Sequence, residues 1–101
     1  MNSYIAGPIT GIDNDNIEAF KRLQNKLFLE RDIVATTPHE VCDGKGCVGY
    51  NDYMAECVRF LLREDTTKVF MLNGWQNSKG ARAEHELAVI YGKEIYYEGG
   101  F

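Results

Sequence analysis

Four short apolar runs, each separated from the next by a stretch of helical periodicity, constrain this chain more than any other feature. Ser3-Tyr4-Ile5-Ala6, Ile33-Val34-Ala35-Thr36, Lys68 to Leu72 and Glu94-Ile95-Tyr96-Tyr97 read as strands. Between the first two, Ile17, Phe20, Leu23 and Leu27 recur at helical spacing. Asp15 is the expected cap of that helix, with Glu18 as its capping-box partner and an end near Glu30. Pro38 stops the second strand. Asn51 or Asp52 is expected to cap a helix whose Met54, Cys57, Val58 and Leu61 share one face. A last helix is expected from about Lys79 to Tyr91, closed by Gly92.

Strands that alternate with helices imply a parallel sheet with right-handed crossovers. The expected architecture is a small flavodoxin- or Rossmann-like three-layer α/β sandwich, with a parallel sheet of about four strands and helices on both faces. The chain has 101 residues, enough for one domain with its own core. A net charge of −4 argues against a nucleic-acid polymer as partner, because backbone binding needs clustered Lys and Arg. No apolar run reaches the roughly 18 residues of a membrane span. The N-terminus lacks the basic and apolar regions of a signal peptide, so a cytoplasmic protein is expected. Three cysteines are an odd number and argue against a disulfide framework. His39, Cys42 and Cys47 invite a zinc reading, but their spacing matches no pair of ligand motifs and a fourth ligand is missing. Residues 39 to 49, with three Gly, two Cys and no periodicity, read as one long loop of the kind that serves as a lid.

On such sheets ligands bind beyond the C-terminal strand ends, where the strand order switches. Two loops should meet there: Gly7 to Gly11 and Gly74 to Gly80. Ser78 is a good N-cap, and a helix N-terminus behind a Gly-containing loop suits an anion. Gly80 either lets a ligand approach the backbone or is a simple loop glycine. Glu84 shares its helix face with Ala81, Leu87, Ala88 and Tyr91, so it points inward, whereas Glu86 pairs outward with Arg82. Buried acids are rare unless paired or functional, so Glu84 is either a structural ion-pair member or a reacting group. Trp75 reads equally as core or as a wall for a stacked base, and Tyr4, Tyr50 and Tyr53 are similarly ambiguous. His85 points about a third of a turn from Glu84 and reads as packing. Cys57 is most simply a buried small hydrophobe.

The segment Tyr4-Ile5-Ala6-Gly7-Pro8-Ile9-Thr10-Gly11, together with Gly74-Trp75, Ser78, Gly80-Ala81, Glu84, Ala88 and Gly92, resembles the nucleoside 2-deoxyribosyltransferase-like superfamily. The likeness covers nearly the whole chain and is nearest to small phage and bacterial members and to the 2′-deoxynucleoside 5′-phosphate N-hydrolases. It implies that Glu84 attacks the anomeric carbon and displaces the base. It further implies that Ser78 helps to hold a 5′-phosphate and that Tyr4, Gly7, Pro8, Ile9, Thr10 and Gly11 line the sugar and base pocket, with Trp75 and Gly80 nearby. A carboxylate can form such a covalent glycosyl intermediate; water then gives hydrolysis and a second base gives transfer. Neither route uses a metal or a redox cofactor. The resemblance also implies a homodimer or higher homo-oligomer, with contacts from the Tyr96 to Phe101 end. One position departs. The family aspartate, eight residues before the acid that opens the third strand (here Asp65), is Cys57. A thiol is a poor substitute for an acid that binds or protonates the leaving base. Asp52 is the candidate to reach in its place, and a nucleotide binder without catalysis, a sensor or sponge, is the alternative function.

Overall fold

The computed structural model describes residues 1–100. Strands β1 (Asn2–Ala6), β2 (Ala35–Thr36), β3 (Thr66–Met71) and β4 (Glu94–Tyr97) form one sheet in the order β2-β1-β3-β4. All neighbours run parallel, with Ser3 opposite Ala35, Tyr4 opposite Val69 and Phe70 opposite Tyr96. A parallel sheet has to be covered on both faces. Ile5, Phe70 and Leu72 meet Phe20, Leu23 and Leu27 of α1 (Ile17–Arg31) on one side. On the other, Tyr4, Ala6, Val69 and Met71 meet α2 (Pro38–Cys42), α3 (Tyr50–Leu61) and α4 (Lys79–Ile90). The result is the expected three-layer α/β sandwich. No helix among the described residues is long and apolar enough to cross a membrane.

The ends of the elements show where long-range contacts overrode local signals. Asp15 does not cap α1: Asn14, Asp15 and Asn16 all take left-handed backbone angles, at φ 53°, 53° and 59°. No side chain caps the helix there. The Asn16 amide donates instead to the Pro8 carbonyl at 2.8 Å, and a His39 ring nitrogen meets the Asp15 carbonyl at 2.8 Å. The second strand is shorter than expected because the Ile33 N–H turns back to the Leu27 carbonyl at 3.1 Å and closes α1. The segment after Pro38 is not loop from the start. Thr37 and Glu40 form a reciprocal capping box with Pro38 in the first turn, and α2 results. Helix α3 starts two or three residues earlier than expected, at Tyr50 after Gly49 and without a side-chain cap, so neither Asn51 nor Asp52 is its N-cap. Helix α4 behaves as its sequence suggests. Ser78 Oγ accepts the Ala81 N–H at 3.2 Å. At the other end the Lys93 N–H reaches the Ala88 carbonyl and the Gly92 N–H the Val89 carbonyl, with Gly92 at φ 72°. This is a Schellman closure, and only glycine enters it without strain.

The strand order switches between β1 and β3, and the chain leaves both strands at the same end of the sheet. Gly7 is buried where these exits touch, and a β-carbon there would lie 2.7 Å from Leu72 Cβ. Leu72 is itself buried and its Cβ is fixed to the backbone, so it cannot swing clear. Gly7→Ala is therefore expected to destabilise the fold by about 1–3 kcal/mol through overpacking. Thermal melting checks this, and an unchanged melting temperature would mean that the contact relaxes freely.

Candidate functional site

A cavity of about 240 Å³ opens at that switch point, several times the roughly 30 Å³ share of one water molecule. Its floor is Tyr4 from β1 and Glu84 from α4. Gly7, Ile9 and Thr10 form one side, and Ser78, Gly80 and Ala81 another. Helix α3 and the turn before it line the cavity with Val48, Gly49, Tyr50, Tyr53, Met54 and Cys57. Alongside Pro38 and Cys47, Asp15 completes the wall.

Glu84 is 4% exposed. Its partner is the phenol of Tyr4, also buried, which donates to Oε2 at 2.5 Å. No cation stands against it among the described residues, so the structural ion pair weighed from the sequence is not formed. Burial lifts the Glu84 carboxyl to about 7, and the Tyr4 hydrogen bond holds it down from going further. Burial, with the neighbouring Glu84 charge, pushes Tyr4 well above the usual phenol range. A carboxylate that changes charge near neutrality at the floor of a cavity can act as a nucleophile or as a base. Glu86 is exposed on the opposite face, as its spacing suggests, but no ion pair joins it to Arg82 among the described residues.

Cys57 is buried beside this pair, and burial raises its thiol to about 11. It stays protonated and neutral at physiological pH. Asp52 does not reach in to replace a carboxylate. It is exposed in the first turn of α3 and accepts the Val48 N–H at 3.4 Å. The acid that does lie on the wall is Asp15, which the sequence pattern assigns to helix capping. Its left-handed backbone, rare outside glycine but tolerated by Asn and Asp, turns it away from α1. The run Asn14-Asp15-Asn16 was the available signal for such a turn.

Of the other sequence candidates, Tyr50, Ser78 and Gly80 lie on the cavity, whereas Pro8, Gly11 and Trp75 are outside its lining. Trp75 stacks on His85 with ring centroids 4.2 Å apart, and His85 Nε2 meets the Tyr97 hydroxyl at 2.6 Å. The indole is thus engaged within the protein. Phe101 lies outside the described residues. Gly80 is packed tightly: a β-carbon would come within 2.9 Å of the Tyr50 hydroxyl and 3.0 Å of Met54 Sδ. The bare backbone lets α3 close onto the start of α4. His39 packs edge-on against Phe20, at 5.0 Å and 80°, rather than on the cavity. No group of three or more His, Cys, Asp or Glu side chains among the described residues is arranged to hold a metal ion.

A four-stranded parallel sheet with a cavity at its switch point, floored by a buried carboxylate, places this protein among the small doubly wound α/β domains with a ligand-sized acidic site. The chain belongs to the family described as Domain of unknown function (DUF4406), whose model matches residues 1–97. Comparison with curated proteins and with solved structures returns no match.

Proposed function

We propose that this protein cleaves the N-glycosidic bond of a nucleoside 5′-monophosphate, with a deoxynucleotide as the preferred substrate and Glu84 as the nucleophile. The observation that carries this reading is Glu84 itself: 4% exposed, on the cavity floor, held by a neutral phenol and, among the described residues, with no cation against it. The resemblance of the Tyr4–Gly11 and Gly74–Gly92 segments to the deoxyribosyltransferase-like superfamily supports the same chemistry.

The reaction proceeds in two steps. The Glu84 carboxylate attacks the anomeric carbon as the bond to the base breaks, and an ester between sugar and Glu84 forms through an oxocarbenium-like transition state. Water, or a second base in a transfer reaction, then attacks the same carbon and releases Glu84. The Tyr4 hydroxyl orients Oε2 and stabilises the ionised carboxylate. The 5′-phosphate sits at the start of α4. Ser78 Oγ already takes the Ala81 N–H and the Ser78 carbonyl the Arg82 N–H, which leaves the N–H groups of Lys79 and Gly80 for the anion. Exposed Val89, Ile90, Tyr91 and Tyr97 support a homodimer as the working unit, and a cytoplasmic location belongs to the same reading.

The test is chromatography of free base from a panel of deoxynucleoside and ribonucleoside 5′-monophosphates. Release by the native chain that disappears in Glu84→Gln supports the reading. Silence across the panel overturns it. Cys57, a thiol where relatives carry an acid, favours one second reading, a nucleotide binder without turnover. That reading requires a ligand-dependent rise in melting temperature that survives Glu84→Gln, with no base released. Ser78→Ala is expected to cost about 1 kcal/mol of stability through the lost cap. In kinetics it should raise KM for the 5′-monophosphate more than for the free nucleoside; an equal effect on both would place the phosphate elsewhere.

A further inference from the structure

Among the described residues the cavity carries two carboxylates, Asp15 and Glu84, and no Lys, Arg or His side chain lines it. Two phenol rings, Tyr50 and Tyr53, lie on the same wall system as Asp15. The Asp15 charge is close enough to push the Tyr53 phenol further up, on top of the effect of burial and of Cys57. Beyond Tyr53 stands Cys57, buried and protonated. This side of the cavity thus offers a negative charge and aromatic faces, but no strong acid deep in the pocket to give a leaving nitrogen its proton.

A neutral purine or pyrimidine departs as an anion unless it is protonated, and general acid help of that kind is worth a factor of about 10²–10⁴. A base that is already cationic, such as a pyridinium or an N7-alkylated purine, needs none. The bonding pair of the C–N bond moves onto the ring nitrogen and the base leaves neutral. Glu84 holds the sugar as an ester, water then adds to the anomeric carbon, and one proton is released to solvent. A cationic ring is also what such a wall binds, through the face of an aromatic side chain and a nearby carboxylate.

From this arrangement we infer that the base side of the cavity, formed by Asp15, Tyr50, Tyr53 and Cys57, selects N-glycosides whose base carries a positive charge. The inference rests on the glycosidase reading above and names its substrate class. Asp15 serves as the counter-charge of the base. The left-handed run at residues 14–16, pinned by Asn16 to Pro8 and by His39 to the Asp15 carbonyl, holds it on the cavity wall.

The experiment uses a matched pair, 7-methyl-2′-deoxyguanosine 5′-monophosphate and 2′-deoxyguanosine 5′-monophosphate, on the acid side of neutrality, where the methylated ring keeps its N1 proton and the two differ by one methyl group and one charge. Binding is measured by calorimetry on Glu84→Gln, where no turnover intervenes. The methylated member is expected to bind about tenfold tighter or more. Adding Asp15→Asn to that variant should remove most of the difference. Turnover is measured on the native chain after subtraction of spontaneous depurination. The cationic member should have the higher kcat/KM, and Cys57→Asp should raise turnover of the neutral member alone. Equal affinities for the pair, or a difference that survives Asp15→Asn, overturns the inference. If the neutral nucleotide is bound and cleaved as well as the methylated one, the glycosidase reading stands and the charge selection falls. If neither member releases base from the native chain, the charge selection falls, and the panel of 5′-monophosphates decides the glycosidase reading.

Discussion

Glu84→Gln is expected to stop base release and, above pH 7, to make the protein more stable than the native chain. The amide cannot form the glycosyl ester, so the loss in kcat is on the order of 10³-fold or more. The stability effect follows from linkage. The Glu84 carboxyl is raised by burial to about 7 in the fold, from a reference value of 4.5. The native state therefore binds the proton more tightly than the unfolded chain. Its contribution is fully present below about pH 4.5, is lost as pH rises through the interval to 7, and stays lost above it. A difference of this size corresponds to about 3 kcal/mol at pH 8. For a domain of this length that is a shift in melting temperature on the order of 10 °C. Glutamine keeps an oxygen for the Tyr4 hydroxyl and carries no charge, so it escapes the penalty. Melting curves of both proteins at pH 5 and pH 8 check the claim. A gap that does not widen with pH would mean that Glu84 is ionised in the fold at little cost. Destabilisation at a reacting position is the usual trade between function and stability.

Tyr4→Phe is expected to slow base release at pH 6 by about 10–100-fold and to leave it nearly unchanged at pH 9. A hydrogen bond to a charged acceptor is worth about 1.5–3 kcal/mol, or about one to two pH units on the Glu84 carboxyl. The Tyr4 hydroxyl lowers that carboxyl, so its removal moves the acid limb of the pH–rate profile upward. At pH 6 both proteins lie below the limb, and the ionised fraction of Glu84 falls by the full factor. At pH 9 both lie at or near the plateau. Loss of a packing contact alone would lower the whole profile without moving the limb, so the profile distinguishes the two causes.

These two expectations concern residues that the sequence reveals to different degrees. That Glu84 faces inward is legible from its spacing to Ala81 and Ala88, because a helix repeats every 3.6 residues whatever surrounds it. That its partner is Tyr4, 80 residues away, is not legible. It depends on β1 lying beside β3 with Tyr4 opposite Val69, and on α4 crossing over that pair. The Ser78 cap is a contact over three residues and was readable. The Thr37–Glu40 capping box was equally local but hidden, because the Gly and Cys residues that follow it suggest a loop.

The sequence by itself determined the alternation of strands and helices, the parallel sheet that follows from it, the two loops that flank the cavity and the inward face of α4. Each rests on a periodicity or a cap that acts within one element. The tertiary structure alone decided which groups share the cavity. It moved Asp15 from a helix cap to the cavity wall, since Asn16 and His39 found better partners across the chain. It turned Asp52 outward onto Val48, engaged Trp75 with His85, and set Cys57 beside Tyr4 and Glu84. Local periods fix which way a side chain points, whereas the register of strands and the packing of helices fix what it meets there.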